Sequence, residues 1–526
     1  MNAFGSYAHY GEVQQGKPAE WELWLQLLRN KDRGVQARAS QKLRLYVETA
    51  VREMSTETFN KFEGELHRCV FALVHSQDMA DKLAGVAAID ALIGASSPQA
   101  EQKIVSFSSN LTHALRTSTD LVLLQHASRA IGHMARSHVA PNADYVEFEV
   151  TRGLEWLHAE QWHRRLAACL VLKELAHHAP TALYSKARSF FARVPPVLRD
   201  LRQAVREAAA EALHACLQIM SRRRSRYHLN WYCGIYDHLR AGLVKGSEAD
   251  AHGALLMVGA MLYHTGDFMV PRFREVCSAV MDLREHSSRV VRGAVTSLLP
   301  RLAAYCPDAF ARLYLEPTLL HVVAGCNAAN PSYNPKHPPQ LVPLQAPALS
   351  APPPGAGDTD PRGAAFLALG KLSLAVGHHL DPRLPELVDL VLSGLTRRRK
   401  FPFCEQALAC VADLVRSLGE AMTVHIPRLL EPMFFSGLSE QLIETLSVIC
   451  QVLHCHRFRI QERLLLELAL VLSGQPYDPP GSKPPWALGS HHYHYHLHLL
   501  NAGGALSGVS PAAAAAVAVA AGSALL

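Results

Sequence analysis

The sequence predicts an all-α chain, an α-solenoid in which helix pairs stack in line. Three observations predict it. One short helical pattern recurs every 40 to 46 residues over much of the chain. The stretches between its copies carry further amphipathic helical patterning. No strand-like alternation recurs anywhere in the 526 residues. A period of about 40–47 residues with purely helical patterning is the signature of HEAT or armadillo repeats.

The recurring unit is legible in "RRLAACLVLKELA" (164–176), "VREAAAEALHACL" (205–217), "AHGALLMVGAMLY" (251–263), "VRGAVTSLLPRLA" (291–303) and "PRGAAFLALGKLS" (361–373). Each copy opens on a polar or basic residue, usually Arg. A small residue follows at plus two: Ala167, Ala208, Ala254, Ala294, Ala364. Apolar residues follow at plus seven and plus ten: Leu172 and Leu175, Leu213 and Cys216, Leu299 and Leu302, Leu369 and Leu372. Gly259 breaks the pattern once, ahead of Leu262. Looser copies start at Gln36, Lys82 and Leu124, and fainter ones appear near Cys404 and Leu442. Starts at 36, 82, 124, 165, 206, 252 and 292 are followed by one at Arg362, after a gap of 70 residues. A single unit cannot bury its own apolar face, so it must stack on neighbours. Gly85, Gly253, Gly293 and Gly363 recur inside the units. Gly inside a helix costs about 0.5–1 kcal/mol relative to Ala, so these positions are read as points of close helix approach.

Between the units lie the partner helices. "PRFREVCSAVMDLREH" (271–286) is one. "ADYVEFEVTRGLEWL" (143–157) is the most sharply written. Its first half alternates like a strand, but the alternation stops after Val150, and a strand of that length would be unusual. On a helical wheel Tyr145, Val146, Val150, Gly153, Leu154, Trp156 and Leu157 share one half. Glu147, Thr151, Arg152 and Glu155 share the other, with Phe148 and Glu149 off the pattern. It therefore reads as the outer helix of the repeat that ends in "RRLAACLVLKELA". Stacking demands the apolar half but not the charges. Glu147, Glu149, Arg152 and Glu155 are accordingly the candidate partner-facing residues.

The expected organisation is a flexible N-terminus (1–20), a first HEAT-repeat block (21–326), a Pro-rich disordered insertion (327–361), a second repeat block (362–474) and a low-complexity Pro/His/Ala tail (475–526). The insertion holds "NPSYNPKHPPQLVPLQAPALSAPPPGAGDTDPR" (330–362), where Pro removes backbone donors and cannot continue a helix. Its "PPP" matches an SH3 or WW ligand only weakly, and a plain loop is the favoured reading. "HHYHYHLHLL" (491–500) offers five histidines, but alternating spacing fixes no single metal geometry. "PAAAAAVAVAAGSALL" (511–526) falls short of the roughly 20 strongly apolar residues that a membrane span needs.

Composition narrows the function classes. A net charge of +6 over this length implies no nucleic-acid binding by itself. The basic clusters Arg222, Arg223, Arg224, Arg226 and Arg397, Arg398, Arg399, Lys400 read as solvated helix ends or loops. Eleven scattered cysteines without a CxxC pair, and an N-terminus with no apolar core, point to reduced thiols and a cytoplasmic chain. A nuclear or peripheral endomembrane location is the alternative. Cys450, His454, Cys455 and His456 cluster, yet their spacing matches no zinc pattern and they fall in an apolar helical run. No GxxxxGK[ST], GxSxG or HExxH occurs. "GDFM" (266–269) touches the kinase DFG triplet, but Met269 stands where Gly is needed. The pairs His177, His178 and His378, His379 are placed at helix ends, where the helix dipole favours cations.

The sequence also resembles the N-terminal HEAT region of the target of rapamycin (TOR) kinase family, from about Leu25 to about Gly474. The residues carrying this are "LRLYVETAVREMS" (43–55), "GVAAIDALIG" (85–94), "ASRAIGHMA" (127–135), "ADYVEFEVTRGLEWL", "QAVREAAAEALHACL" (203–217), "HGALL" (252–256), "SLLPRLAAYCPDAF" (297–310), "FLALGKLSLAV" (366–376) and "IPRLLEPMFFSGLS" (426–439). The resemblance implies a non-catalytic scaffold segment of a large serine/threonine protein kinase that couples nutrients to growth. It implies protein partners: a Raptor-like subunit in one complex, the rapamycin-insensitive subunit in another, the small GTPase Rheb in animals, and self-association through the whole protein. The GTPase-contacting loop would fall near "VSFSSNLTHALRTSTD" (105–120), although the aromatic expected beside Asn110 is missing. ATP and a divalent metal would serve a kinase domain, and no cofactor is expected for these repeats. The chain is expected to be a fragment, a truncated product or one piece of a split one, and its Ala-rich end matches nothing in the family. The alternatives are the kinase TOR itself, its FAT and kinase domains lying outside this chain, and an importin-like carrier. The carrier would require an acidic inner surface, whereas the repeat starts are rich in Arg.

Overall fold

The structure, a computed structural model, describes residues 20–137, 143–223, 228–244, 247–327, 361–396 and 404–472. All described secondary structure is helical, as the patterning requires. The Pro-rich insertion, the His- and Ala-rich tail and the basic runs at 224–226 and 397–400 lie outside the described residues. The helices fall into two compact units, Met1–Phe268 and Met269–Leu526.

In the first unit the helices are α1 (Glu20–Leu27), α2 (Arg33–Glu53), α3 (Thr56–Val74), α4 (Met79–Leu92), α5 (Ala100–Thr117), α6 (Leu121–Arg136), α7 (Ala143–Trp156), α8 (Trp162–His178), α9 (Pro180–Ser185), α10 (Ala187–Val197), α11 (Gln203–Arg222), α12 (His228–Val244) and α13 (Glu248–His264). The recurring pattern falls on α2, α4, α6, α8, α11 and α13, and each of these packs on the next. The intervening helices α3, α5, α7, α10 and α12 each pack on the row helix that follows them. The second unit holds α14 (Phe273–Asp282), α15 (Arg289–Tyr305), α16 (Pro307–Leu313), α17 (Leu315–Asn327), α18 (Pro361–Val376), α19 (Leu384–Thr396), α20 (Cys404–Leu418), α21 (Ile426–Phe435), α22 (Glu440–Val452) and α23 (Arg457–Leu472). There α15, α18, α20 and α22 form the same kind of row. The plus-seven and plus-ten positions are buried in each of the five quoted units, including Leu172, Leu213, Leu299 and Leu369.

The opening Arg of the repeat has a structural role. Arg165 Nη1 donates to the carbonyls of Ala159 and Glu160, at 2.8 and 2.7 Å. Arg206 Nη1 reaches Asp200 and Leu201 at 2.8 and 3.2 Å. Arg292 Nη1 reaches His286 and Ser287 at 2.7 and 2.8 Å. In each case the acceptors lie six and five residues earlier, in the turn that feeds the helix. Gln36 does the same at Asn30, 2.6 Å away. These side chains satisfy turn carbonyls that the helix itself cannot reach. The Arg-rich starts are therefore ties to their own turns; Arg206 is only 1% exposed, while Arg165 and Arg292 are half-buried. Their weight against a carrier-type surface falls away.

A second signal repeats ahead of the looser copies. Asp32, Asp78 and Asp120 stand four residues before Gln36, Lys82 and Leu124, and each accepts from a first-turn amide as a helix N-cap. The glycines divide. A Cβ on Gly85 would lie 2.7 Å from the Val74 amide nitrogen, and one on Gly253 would run into the Leu198 carbonyl oxygen. Both are points of close approach, as expected. Nothing lies within 4 Å of a Cβ on Gly293, so that glycine has no such role. "GDFM" is a helix ending: Gly266 has φ 51°, and Gly377 and Gly419 repeat this at 53° and 52°. Each left-handed glycine opens a 3-10 turn, and the turn buries Met269, Leu380 or Met422. For the same reason the segment 271–286 is not one continuous helix: Pro271 lies in the turn, α14 follows, and a 3-10 turn closes it.

Candidate interaction surface

The stretch 143–156 folds as α7, which packs on α8 and meets α9 and α10. Its four candidate residues do not form one surface. Glu149 is 0% exposed and Arg152 is 8% exposed. Arg152 Nη2 pairs with Glu149 Oε2, and its Nη1 donates to Thr112 Oγ1 on α5. Ser108, also on α5, donates to Glu149 Oε1 at 3.0 Å. The guanidinium lies over the Trp156 and Phe148 rings, 5.0 and 5.8 Å from their centroids. Burial pushes the Glu149 carboxyl above the usual carboxylate range, and Arg152 and Ser108 only partly offset it. The expectation that Glu149 and Arg152 face a partner is thus corrected: they tie α7 to α5 from inside. The wheel put Arg152 on the polar half because it could not see α5 beyond it.

Glu147 and Glu155 are exposed. Glu147 pairs with Lys186 at 2.9 Å, and Lys186 holds its carboxyl below the usual range. This pair forms a rim of an open groove of about 510 Å³ between α7 and α9. Val146, Val150, Ala179, Pro180 and Ala182 give it an apolar lining, while His178 and Ser185 add polar edges. Phe148, on the same helix, is 58% exposed despite the Arg152 guanidinium over its ring. Lys186 was missed in the sequence because it lies on the next connection, 39 residues from Glu147.

Other expectations resolve differently. The stretch 105–120 is mostly helix α5 and not a loop, and Asn110 Oδ1 lies 2.9 Å from His75 Nε2. His454 and His456 place ring nitrogens on the carbonyls of Cys450 and Thr423, at 3.2 and 3.0 Å. Among the described residues no group of three or more His, Cys, Asp or Glu could hold a metal ion. Among them, too, no helix is long and apolar enough to cross a membrane. All eleven cysteines are free thiols. Burial pushes the Cys169 thiol well above its ordinary range and leaves it a poor nucleophile.

No family model matches the chain. The serine/threonine-protein kinase TOR of Oryza sativa subsp. japonica is 34% identical over 426 residues, which cover 80% of this chain and 16% of that kinase. TOR of Arabidopsis thaliana is 32% identical over 444 residues, 84% of this chain and 17% of that kinase. Tor1 of Schizosaccharomyces pombe is 27% identical over 454 residues, 86% of this chain and 18% of that protein. Among solved structures, the karyopherin Kap121p bound to Pho4p aligns with a TM-score of 0.47 at 12% identity, over 88% of this chain and 45% of that one. The chain spans about one sixth of the length of the curated relatives it matches. It is helical-repeat in fold and is not the kinase domain. With matches of this extent to kinases of plants and yeast, the chain belongs to the TOR kinase family, as a relative of its N-terminal helical-repeat region.

Proposed function

We propose that the chain is a non-catalytic scaffold segment that holds protein partners within TOR-type nutrient and growth signalling. The observation that carries this reading is the match to TOR kinases along four-fifths of the chain, in a fold made of stacked helix pairs. Helical repeats present long continuous surfaces, which suit protein docking. The partners that fit are a Raptor-like subunit, with a small GTPase and a second copy of the full-length kinase as further ones. A cytoplasmic setting accords with eleven free thiols.

The test is co-purification of the full chain with the Raptor-like subunit of the same source. The expected result is saturable binding in the micromolar range, and no capture at about 10 μM of each protein refutes the reading. Addition of ATP and magnesium to the chain with a general protein substrate should transfer no phosphate.

A further inference from the structure

We propose that the groove between α7 and α9 is a docking slot for a partner segment that carries an apolar side chain next to carboxylates. The inference rests on the scaffold reading and names the chemistry of one partner contact. Val146, Val150, Ala179, Pro180 and Ala182 line a space of about 510 Å³, open to solvent. A single Leu-sized side chain can enter and leave water there, which contributes roughly 1.5–3 kcal/mol per side chain in general.

The charges around the slot select what flanks that side chain. Lys186 stands on the rim, and its Glu147 partner at 2.9 Å is already neutralised by it. Arg223 Nη2 donates to Thr181, a lining residue, at 2.7 Å, and its guanidinium lies 4.9 Å over the Tyr184 ring. His178 also lines the slot; burial first, then the neighbouring His133 and Arg136, hold its imidazole below the ordinary range, so it adds no fixed charge, and Glu174 is the anionic group beside it. The hydrogen bond to Asp90, 2.6 Å from its Nδ1, pushes the His133 imidazole above its ordinary range. Glu147 and Lys186 cancel each other, and Glu174 has Lys173 Nζ at 3.7 Å as its cation. The charge left over is that of the Arg223 and Arg136 guanidiniums, and it complements carboxylates.

The test uses the full chain and a fluorescein-labelled peptide, Gly-Ser-Asp-Glu-Leu-Asp-Glu-Gly-Ser, followed by fluorescence anisotropy. Ser185→Trp overhangs the slot from an exposed position, and Lys186→Glu reverses the rim. Circular dichroism melting confirms that both variants stay folded. Saturable binding in the tens of micromolar is expected, weakened at least about tenfold by either variant, by Leu replaced with Ala in the peptide, or by Lys in place of its acids. No saturation up to about 1 mM peptide, equal binding of the Lys-flanked peptide, or native-like binding by Ser185→Trp overturns the proposal. Capture of the Raptor-like subunit without peptide binding overturns the slot and leaves the scaffold reading standing. Peptide binding without subunit capture supports the slot and removes that scaffold assignment.

Discussion

Replacing Arg152 with Met tests whether α7 is tied from inside. The substitution keeps the apolar length of the side chain over Phe148 and Trp156 but removes the charge. It leaves Glu149, fully buried, with Ser108 as its remaining donor. Breaking a buried pair by removing one partner destabilises by about 3–5 kcal/mol, because the other charge is left uncompensated. For a folding unit of roughly 250 residues each kcal/mol shifts the melting temperature by about 2–4 °C, so a drop on the order of 10 °C follows. Glu149→Leu combined with Arg152→Met removes both charges and should recover most of the loss, since an apolar replacement of a buried pair is often neutral. The assay is thermal and urea unfolding of the native chain, the single variant and the double variant. A change under about 1 kcal/mol for Arg152→Met, as expected of an exposed ion pair, would refute the internal-tie reading and return Arg152 to the surface.

Three further outcomes are expected. Charge reversal at Glu147 and Glu155, both exposed, should leave the melting temperature nearly unchanged and weaken capture of the Raptor-like subunit; unchanged capture reduces α7 to plain scaffold. Burial, with Arg206 beside it, holds the His252 imidazole at about 4, below its ordinary 6.5. Its native state therefore refuses a proton that the unfolded state accepts, so stability is intact above pH 6.5 and is lost progressively as pH falls toward 4, by roughly 3 kcal/mol in total. Urea titrations from pH 7.5 to pH 4, with His252→Gln for comparison, read this out, and identical pH profiles would overturn it. Gly253→Ala should destabilise by more than about 2 kcal/mol because the new methyl meets the Leu198 carbonyl, whereas Gly293→Ala should be neutral or stabilise by up to about 1 kcal/mol. Equal effects at the two glycines in thermal melts would remove the close-approach argument.

The period was the sequence's strongest statement, and it sufficed for the fold class. Ala167, Leu172 and Leu175 share one helix face by spacing alone, and a face that cannot bury itself dictates stacking. The family was legible too, because the match runs through many repeats. What spacing could not reveal is which neighbour each polar group meets. Arg165, Arg206 and Arg292 read only as a basic start to each repeat, and tertiary structure sets them on turn carbonyls. Glu147 and Glu149 stand two residues apart in one helix, yet one is solvated against Lys186 and the other is sealed against Ser108 and Arg152. Hydrophobic periodicity is a property of a single helix and is written locally. The fate of a charge depends on the helix that packs beyond it, about 40 residues away in the chain, and only the folded arrangement decides that.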